Sequence, residues 1–153
     1  LRKSAVSIIR ISITAERKSA SHHQKNMAAA EVEARMKEIE SSWKAKDVDK
    51  LLEYYLPDAT LYSVGIEPAV GKEAIKAVLK QAMSGSGGGM TTDKIVASGD
   101  IGYASGSWWA SSELNGNYLL VLRKSDGKWM VEMDWNTVNK GVDKIVEFIT
   151  KSS

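Results

Sequence analysis

The sequence predicts an α+β fold, in which helices come first and a run of antiparallel strands follows. Apolar residues that recur every three or four positions indicate the helices. Short β-branched and aromatic segments between turn residues indicate the strands. With 153 residues the chain has the length of one ordinary domain and can bury a core of its own.

The first predicted helix covers about residues 29–46. One face of it carries an apolar stripe at helical spacing, formed by Val32, Met36, Ile39 and Trp43. Glu40 and Lys44 are spaced for an i,i+4 ion pair on the opposite, exposed face. The stripe therefore predicts a helix that packs one side against a core.

Two further helices are predicted before the strand region. Asp47 is placed to cap a short second helix that extends to Leu56, and Pro57 is expected to end it. A first strand is predicted over 59–65. The third helix begins after Gly71 and turns its apolar residues inward, namely Ile75, Val78, Leu79 and Ala82.

Four strand-like segments then follow, separated by turn residues. The strands are predicted at about 91–98, 101–112, 117–124 and 128–137, with turns at 98–100, 115–116 and 125–127. A C-terminal helix is predicted from apolar residues at helical spacing, namely Val142, Ile145, Val146 and Ile149.

The first 26 residues differ in composition from the rest. They carry six basic side chains and one acidic side chain, whereas residues 27–153 carry 15 basic and 18 acidic ones. We expect 1–26 to be a disordered basic extension translated from upstream sequence, and 27–153 to be the domain, in the cytoplasm. An organelle-targeting peptide is the alternative, because such peptides are basic, serine-rich and poor in acidic residues.

Composition also excludes several classes of function. The slightly acidic body favours no nucleic-acid partner, and no apolar run has the roughly 20 residues of a membrane span. Cysteine is absent from the chain and histidine from 27–153, which excludes Cys- and His-based nucleophilic schemes and metal sites there. No metal or cofactor is expected, and acid–base chemistry must use carboxylates, tyrosines or water.

Five short motifs occur in an order that resembles a known family. They are Trp43-x3-Asp47-x3-Leu51, Pro57-Asp58-Ala59-Thr60, Gly71-Lys72-Glu73-Ala74-Ile75, Ser98-Gly99-Asp100-x-Gly102-Tyr103-Ala104 and Asp126-Gly127-Lys128-Trp129. Over residues 29–138 the chain resembles the SnoaL-like members of the nuclear transport factor 2-like superfamily. The resemblance implies a cone-shaped α+β barrel, with three helices on the concave face of a curved sheet, a pocket at the open end, and frequent homodimers.

Ketosteroid isomerase shares the architecture that this resemblance implies. Aligned on the first two motifs, Ile39 occupies the position of its helix-one tyrosine and Ser63 that of its aspartate base. Its second acid falls near Tyr118 or Leu119. Isoleucine cannot donate a hydrogen bond and serine is not a base, so steroid isomerisation by that mechanism is not expected.

Asp134 is the candidate catalytic residue. Strict alternation along its strand places Glu132, Asp134 and Asn136 on one face with Met130, opposite Trp129, Val131, Met133 and Trp135. If the polar face lines the pocket, burial would raise the pKa of Asp134 toward acid–base duty. If it faces outward, these are solvated charges. The apolar residues favour the other face as the core, so both orientations remain open.

Aromatic residues supply the candidate ligand-binding positions. With Asn136, the predicted set is Trp43, Tyr55, Tyr62, Tyr103, Trp108 and Tyr118. Trp108 and Trp109 are neighbours in a strand and must point to opposite faces, so one of them needs a cover outside the domain core. A partner's sheet is the expected cover, which predicts a homodimer.

Two functions follow from these patterns. The first is binding of a small apolar molecule in the pocket, with isomerase-, cyclase- or hydrolase-type acid–base chemistry through Asp134. The alternative is a non-catalytic homodimeric association or protein-binding module.

Overall fold

The computed structural model describes residues 2–85 and 87–141. These residues form α1 (Arg2–Ala45), α2 (Val48–Leu52), β1 (Tyr55–Tyr62), β2 (Ala69–Val70), α3 (Lys72–Ala82), β3 (Gly89–Ser98), β4 (Ile101–Trp109), β5 (Asn115–Ser125) and β6 (Lys128–Asn136). The strands make one six-stranded sheet in the order β2-β1-β6-β5-β4-β3. Among the described strands, β1 and β6 are the one pair that is parallel. The predicted α+β class with a mostly antiparallel sheet is confirmed.

Helices α1 and α3 pack against one face of this sheet, which we call the inner face. Helix α1 crosses β3 and β4, while α3 lies against β1 and β2. The predicted apolar stripe of α1 is buried at Val32, Met36 and Ile39, and α3 buries Ile75 and Leu79 as expected. The cone-shaped closure and the exact placement of three helices remain predictions. The predicted C-terminal helix lies outside the described residues.

Helix α1 begins at Arg2, well before the predicted start at residue 29. It therefore includes residues 2–26, where the sequence predicted a disordered extension. Residues 23–27 are exposed, and burial against the sheet begins at Ala28. The packed part of the helix thus matches the predicted stripe, while the division of the chain at residue 27 remains a prediction.

The second helix ends earlier than predicted. It stops at Leu52, and Tyr55 already pairs with Val131 in the parallel β1–β6 ladder. Pro57 lies inside β1, within residues 56–59, where the β1–β6 register shifts and no ladder pairs form. A proline without an N–H is tolerated there because no strand hydrogen bond is required of it. The prediction that Pro57 ends a helix is therefore wrong.

The hairpin turns are confirmed at two of the three predicted places. Asp126 and Gly127 both have positive φ between β5 and β6, as the favoured two-residue hairpin turn requires. Residues 115–116, in contrast, belong to β5, and the turn precedes them at 110–114. Gly116 serves close packing, since a Cβ there would lie 1.8 Å from the carbonyl oxygen of Thr137.

Candidate functional site

A β-bulge in β6 decides which way Asp134 points. In the β5–β6 ladder Leu122 pairs with Val131 and Val121 pairs with Met133, which leaves Glu132 as an extra residue. The extra residue reverses the alternation, so Asp134 lies on the same face as Val131. Its partner across the ladder, Leu120, is also buried. Asp134 therefore faces inward.

The bulge corrects the strict alternation predicted for this strand. Glu132 is on the outer face, opposite the helices, where it pairs with Arg123 through hydrogen bonds of 2.7–2.9 Å. Met133 and Trp135 turn outward as well, while Trp129 and Val131 are buried inward. The inner face thus carries the apolar residues of the first half of β6 and the polar residues of its second half.

Asp134 is a buried carboxyl group held by two neutral donors. The Tyr55 hydroxyl donates to its Oδ2 at 2.6 Å, and the Asn136 amide donates to its Oδ1 at 2.8 Å. The residue is 4% exposed. Burial raises the pKa of Asp134 to about 6, although the two hydrogen bonds favour the charged form and lower it. Asp134 is therefore mostly ionised at neutral pH and can change state near it.

Tyr55 reaches Asp134 because β1 runs parallel to β6 at its start. Burial, with the nearby Asp134 charge, raises the pKa of Tyr55 well above its ordinary value, so the hydroxyl keeps its proton. It acts as a hydrogen-bond donor to Asp134. We call Tyr55, Tyr118, Asp134 and Asn136 the polar cluster.

The polar cluster faces a cavity of about 550 Å³ between the helices and the inner face. Most of its wall is apolar, from residues that include Ile39, Trp43, Leu51, Leu61, Val78, Leu79, Met90, Trp108, Leu114 and Leu120. Exposed lining residues such as Val64, Gln81 and Ser84 mark the side that is open to solvent. The volume lies within the range typical of small-molecule sites.

Two tryptophans form part of the wall. Trp43 on α1 and Trp108 on β4 contact edge to face, with ring centroids 6.4 Å apart. The indole N–H of Trp108 donates to the carbonyl oxygen of Thr137 at 3.2 Å. This bond fixes the Trp108 ring beside the end of β6, next to Asn136.

Tyr118 connects the cavity to helix α1 through a chain of hydrogen bonds. Its hydroxyl lies 2.8 Å from Thr92 Oγ1, which donates to Glu40 Oε1 at 2.5 Å. Burial is the main cause that raises the pKa of Tyr118 to about 12. Glu40 thus contacts Thr92, whereas helical spacing predicted an ion pair with Lys44.

Six of the eight predicted site residues line the cavity, namely Trp43, Tyr55, Trp108, Tyr118, Asp134 and Asn136. Tyr62 and Tyr103 do not, because alternation along β1 and β4 places them on the outer face. Tyr62 stacks on Trp135 there, with ring centroids 5.1 Å apart.

Sequence reasoning missed Glu40 and Thr92, and no local pattern marks them, because the bond joins residues 52 positions apart. Ile39 and Ser63 do line the cavity, as the comparison with ketosteroid isomerase implied. Neither supplies an acid or a base.

The outer face carries several exposed apolar side chains. Trp109 points there and lies against Gly89, while Trp108 points inward, as alternation predicted. The exposed set is Val96 at 42%, Ile101 at 52%, Trp109 at 39%, Leu119 at 40% and Trp135 at 49%. These exposed apolar side chains are spread over four strands of the outer face.

Some kinds of site are not formed by the part of the chain that the structure describes. Within residues 2–85 and 87–141 no three His, Asp or Glu side chains are grouped to hold a metal ion. In the same ranges no helix is long and apolar enough to cross a membrane.

Comparison with known proteins gives a family and a fold. A family model described as a SnoaL-like domain matches residues 37–148. No protein with a curated description matches the chain.

Solved structures with this fold come from several bacteria. A ketosteroid isomerase-like protein from Erwinia carotovora atroseptica SCRI1043 has 19% identity and a TM-score of 0.65, over 76% of this chain and 99% of that one. A protein of unknown function with a cystatin-like fold from Nostoc punctiforme PCC 73102 has 18% identity and a TM-score of 0.60, over 72% and 90%. A nuclear transport factor 2-like protein of unknown function from Shewanella oneidensis MR-1 has 21% identity and a TM-score of 0.59, over 71% and 97%. At these identities the likeness establishes the fold alone.

Proposed function

The chain belongs to the SnoaL-like domain family, and from this premise we propose that it binds a small apolar molecule in the cavity beside Asp134. The observation that carries the proposal is the pairing of a mostly apolar cavity of about 550 Å³ with one buried carboxyl group. Small-molecule sites combine apolar walls with a few placed polar groups in this way. Trp43 and Trp108 supply the wall, and the polar cluster orients the ligand.

A cavity-blocking variant tests this proposal. Ala82 on α3 lines the cavity and is half-buried, whereas Ala74 on the same helix is exposed and does not line it. Nile red, an uncharged apolar dye, is expected to show saturable fluorescence enhancement with the wild-type protein and with Ala74→Phe. Ala82→Phe is expected to weaken that binding at least tenfold. Absence of saturable binding, or equal binding by both variants, would overturn the proposal.

Acid–base chemistry on the bound molecule is a further part of the proposed function. Among the described residues that line the cavity, Asp134 is the one carboxylic acid, and lysine, arginine and histidine are missing from that set. A pKa of about 6 suits Asp134 to accept a proton near neutral pH and return it at another atom of the ligand. Proton transfer of this kind is the common step of isomerase- and cyclase-type reactions.

A metabolite screen followed by mutation tests the chemical step. Any turnover found with the wild-type protein is expected to be lost in Asp134→Asn and kept in Glu132→Gln, since Glu132 lies two residues away on the outer face. Turnover that survives Asp134→Asn would refute the role of Asp134 in proton transfer, without bearing on binding.

A second proposal, homodimerisation, rests on the outer face alone. Five exposed apolar residues lie on β3, β4, β5 and β6, and two of them are the tryptophans Trp109 and Trp135. Their number and the presence of two exposed tryptophans support the use of this face as a contact surface. Sedimentation analysis is expected to give a dimer for the wild-type protein and a monomer for Leu119→Lys. Val70→Lys changes an exposed residue on edge strand β2 and serves as the control that stays dimeric. A monomeric wild-type protein at micromolar concentration would contradict this proposal.

A further inference from the structure

The hydrogen-bond directions around the cavity determine what its polar cluster offers a ligand. Thr92 has a single hydroxyl proton, and it donates that proton to Glu40 Oε1 at 2.5 Å. Thr92 must therefore accept from the Tyr118 hydroxyl, 2.8 Å away. The Tyr118 proton is used in this bond, which leaves lone pairs of the Tyr118 oxygen free to accept.

Tyr55 and Asn136 in the polar cluster also use protons in hydrogen bonds within the protein. The Tyr55 proton is donated to Asp134 Oδ2, and one Asn136 N–H is donated to Asp134 Oδ1. The Tyr55 oxygen, both Asp134 oxygens and the Asn136 carbonyl oxygen can still accept hydrogen bonds from a ligand. The only donor left in these three residues is the second amide N–H of Asn136. A ligand that meets this cluster must chiefly donate hydrogen bonds.

The charges around the cluster have one sign. Asp134 is the one charged side chain among the described lining residues, and both of its hydrogen-bond donors are neutral. Glu40 and Asp93 also lie close enough to act on the Tyr118 hydroxyl. A buried carboxylate without a cationic partner costs free energy, and a cationic ligand group would compensate the charge.

The aromatic wall has the same preference. Trp43, Trp108, Tyr55 and Tyr118 all line the cavity, and the electron-rich faces of such rings attract cations. The cavity therefore brings together aromatic rings and a carboxylate, which can both bind an alkylammonium group. Among the described residues that line the cavity, no lysine, arginine or histidine would compensate the charge of an anionic ligand beside Asp134.

We infer that the ligand class of this cavity is a hydrophobic amine, bound as its ammonium ion to Asp134 with its apolar body against Trp43 and Trp108. This inference rests on the proposed function, because it names the ligand class of the same cavity. The ammonium group donates to Asp134 and to the oxygens of Tyr55 and Tyr118, and so satisfies the acceptors that the chain leaves open.

Three probes with one hydrocarbon cage separate charge from shape. Titration calorimetry at pH 7 with 1-aminoadamantane, 1-adamantanol and adamantane-1-carboxylate compares a cation, a neutral donor and an anion of nearly equal size. The amine is expected to bind about tenfold more tightly than the alcohol, or better. Hydrogen bonds between charged groups are stronger than those of neutral groups, and the difference corresponds to about a tenfold change in affinity. The carboxylate is expected to show no binding.

Two variants assign this preference to Asp134. In Asp134→Asn the amine is expected to lose its advantage, while the alcohol and Nile red still bind, which also verifies that the cavity is intact. Glu132→Gln removes a neighbouring carboxylate on the outer face and is expected to keep the preference of the wild-type protein.

The outcomes distinguish this inference from the proposed function. Nile red binding together with an amine that binds no more tightly than the alcohol, or with an amine preference that survives Asp134→Asn, overturns the amine inference and leaves the cavity proposal standing. Failure of Nile red and of all three probes to bind overturns both.

Discussion

Replacing Asp134 with asparagine is expected to stabilise the ligand-free protein at pH 7, even though it removes a hydrogen-bonded side chain. Asp134 is buried, and its pKa rises from 3.8 to about 6 on folding. Each unit of that rise corresponds to about 1.4 kcal/mol, so ionised Asp134 lowers the free energy of unfolding by about 3 kcal/mol. Asparagine has nearly the same shape and no charge to bury.

The sign of the effect follows from proton binding. Because the folded-state pKa is the higher one, the folded protein holds this proton more tightly than the unfolded chain. The stability linked to Asp134 is therefore fully present below pH 3.8 and is lost as the pH rises to about 6. Above that value both states are deprotonated and the loss is constant. The advantage of Asp134→Asn should be small near pH 4 and full by pH 7.

Urea denaturation at pH values from 4 to 8 measures this difference. All other carboxyl groups titrate in both proteins, so their contributions cancel when the two unfolding free energies are subtracted at each pH. Glu132→Gln is the matched control, because its carboxylate is on the outer face and its substitution should give no such rise between pH 4 and 7. An Asp134→Asn protein that is less stable than wild type at pH 7, or a difference independent of pH, would refute the reasoning.

Three further predictions concern the same region. Tyr55→Phe removes the 2.6 Å hydrogen bond that lowers the pKa of Asp134, so carbon-13 NMR titration should find that pKa above about 6. Gly116→Ala places a Cβ 1.8 Å from the Thr137 carbonyl oxygen and should destabilise the protein by about 2 kcal/mol or more in urea, whereas Gly87→Ala, with open space around it, should be near neutral. Binding of 1-aminoadamantane should weaken below pH 6 as Asp134 takes up a proton, while binding of 1-adamantanol stays constant.

Each of these predictions has a contrary result. An Asp134 pKa that falls in Tyr55→Phe would mean that the hydroxyl does not stabilise the carboxylate. Equal stability of the Gly116 and Gly87 variants would mean that β5 and the end of β6 are less closely packed than the structure has them. Amine affinity that is flat between pH 5 and 7 would place the ammonium group away from Asp134.

Much of the fold could be predicted from local patterns. The apolar stripe that runs from Val32 to Trp43 predicted which face of α1 is buried. It could do so because the 3.6-residue period of a helix can be read from residues that are close in sequence. The two-residue turn at Asp126 and Gly127 set the β5–β6 hairpin for the same reason. The prediction at Pro57 was wrong because a proline is tolerated in a strand where the neighbouring strand requires no N–H from that position. Whether an N–H is required depends on how the strands pair, which is a property of the tertiary structure.

The candidate site was predictable only in part. Neighbouring residues in a strand point to opposite faces, so the separation of Trp108 from Trp109 could be predicted. The absence of cysteine and histidine from the body left carboxylates, tyrosines or water for acid–base chemistry, and the position of Asp134 in its strand, two residues from Glu132 and from Asn136, made it the leading candidate. The Tyr55–Asp134 contact could not be predicted, because it joins residues 79 positions apart through parallel pairing. The same holds for the Glu40–Thr92 contact.

The sequence by itself determined the α+β order of the elements, the turns between β3 and β4 and between β5 and β6, and the exclusion of cysteine and histidine chemistry from the body of the chain. The tertiary structure alone decided which way Asp134 faces. Strict alternation put it on the less apolar face, and the bulge at Glu132 reversed that phase. A bulge is a mismatch in residue count between paired strands, so it exists only in the register that folding establishes.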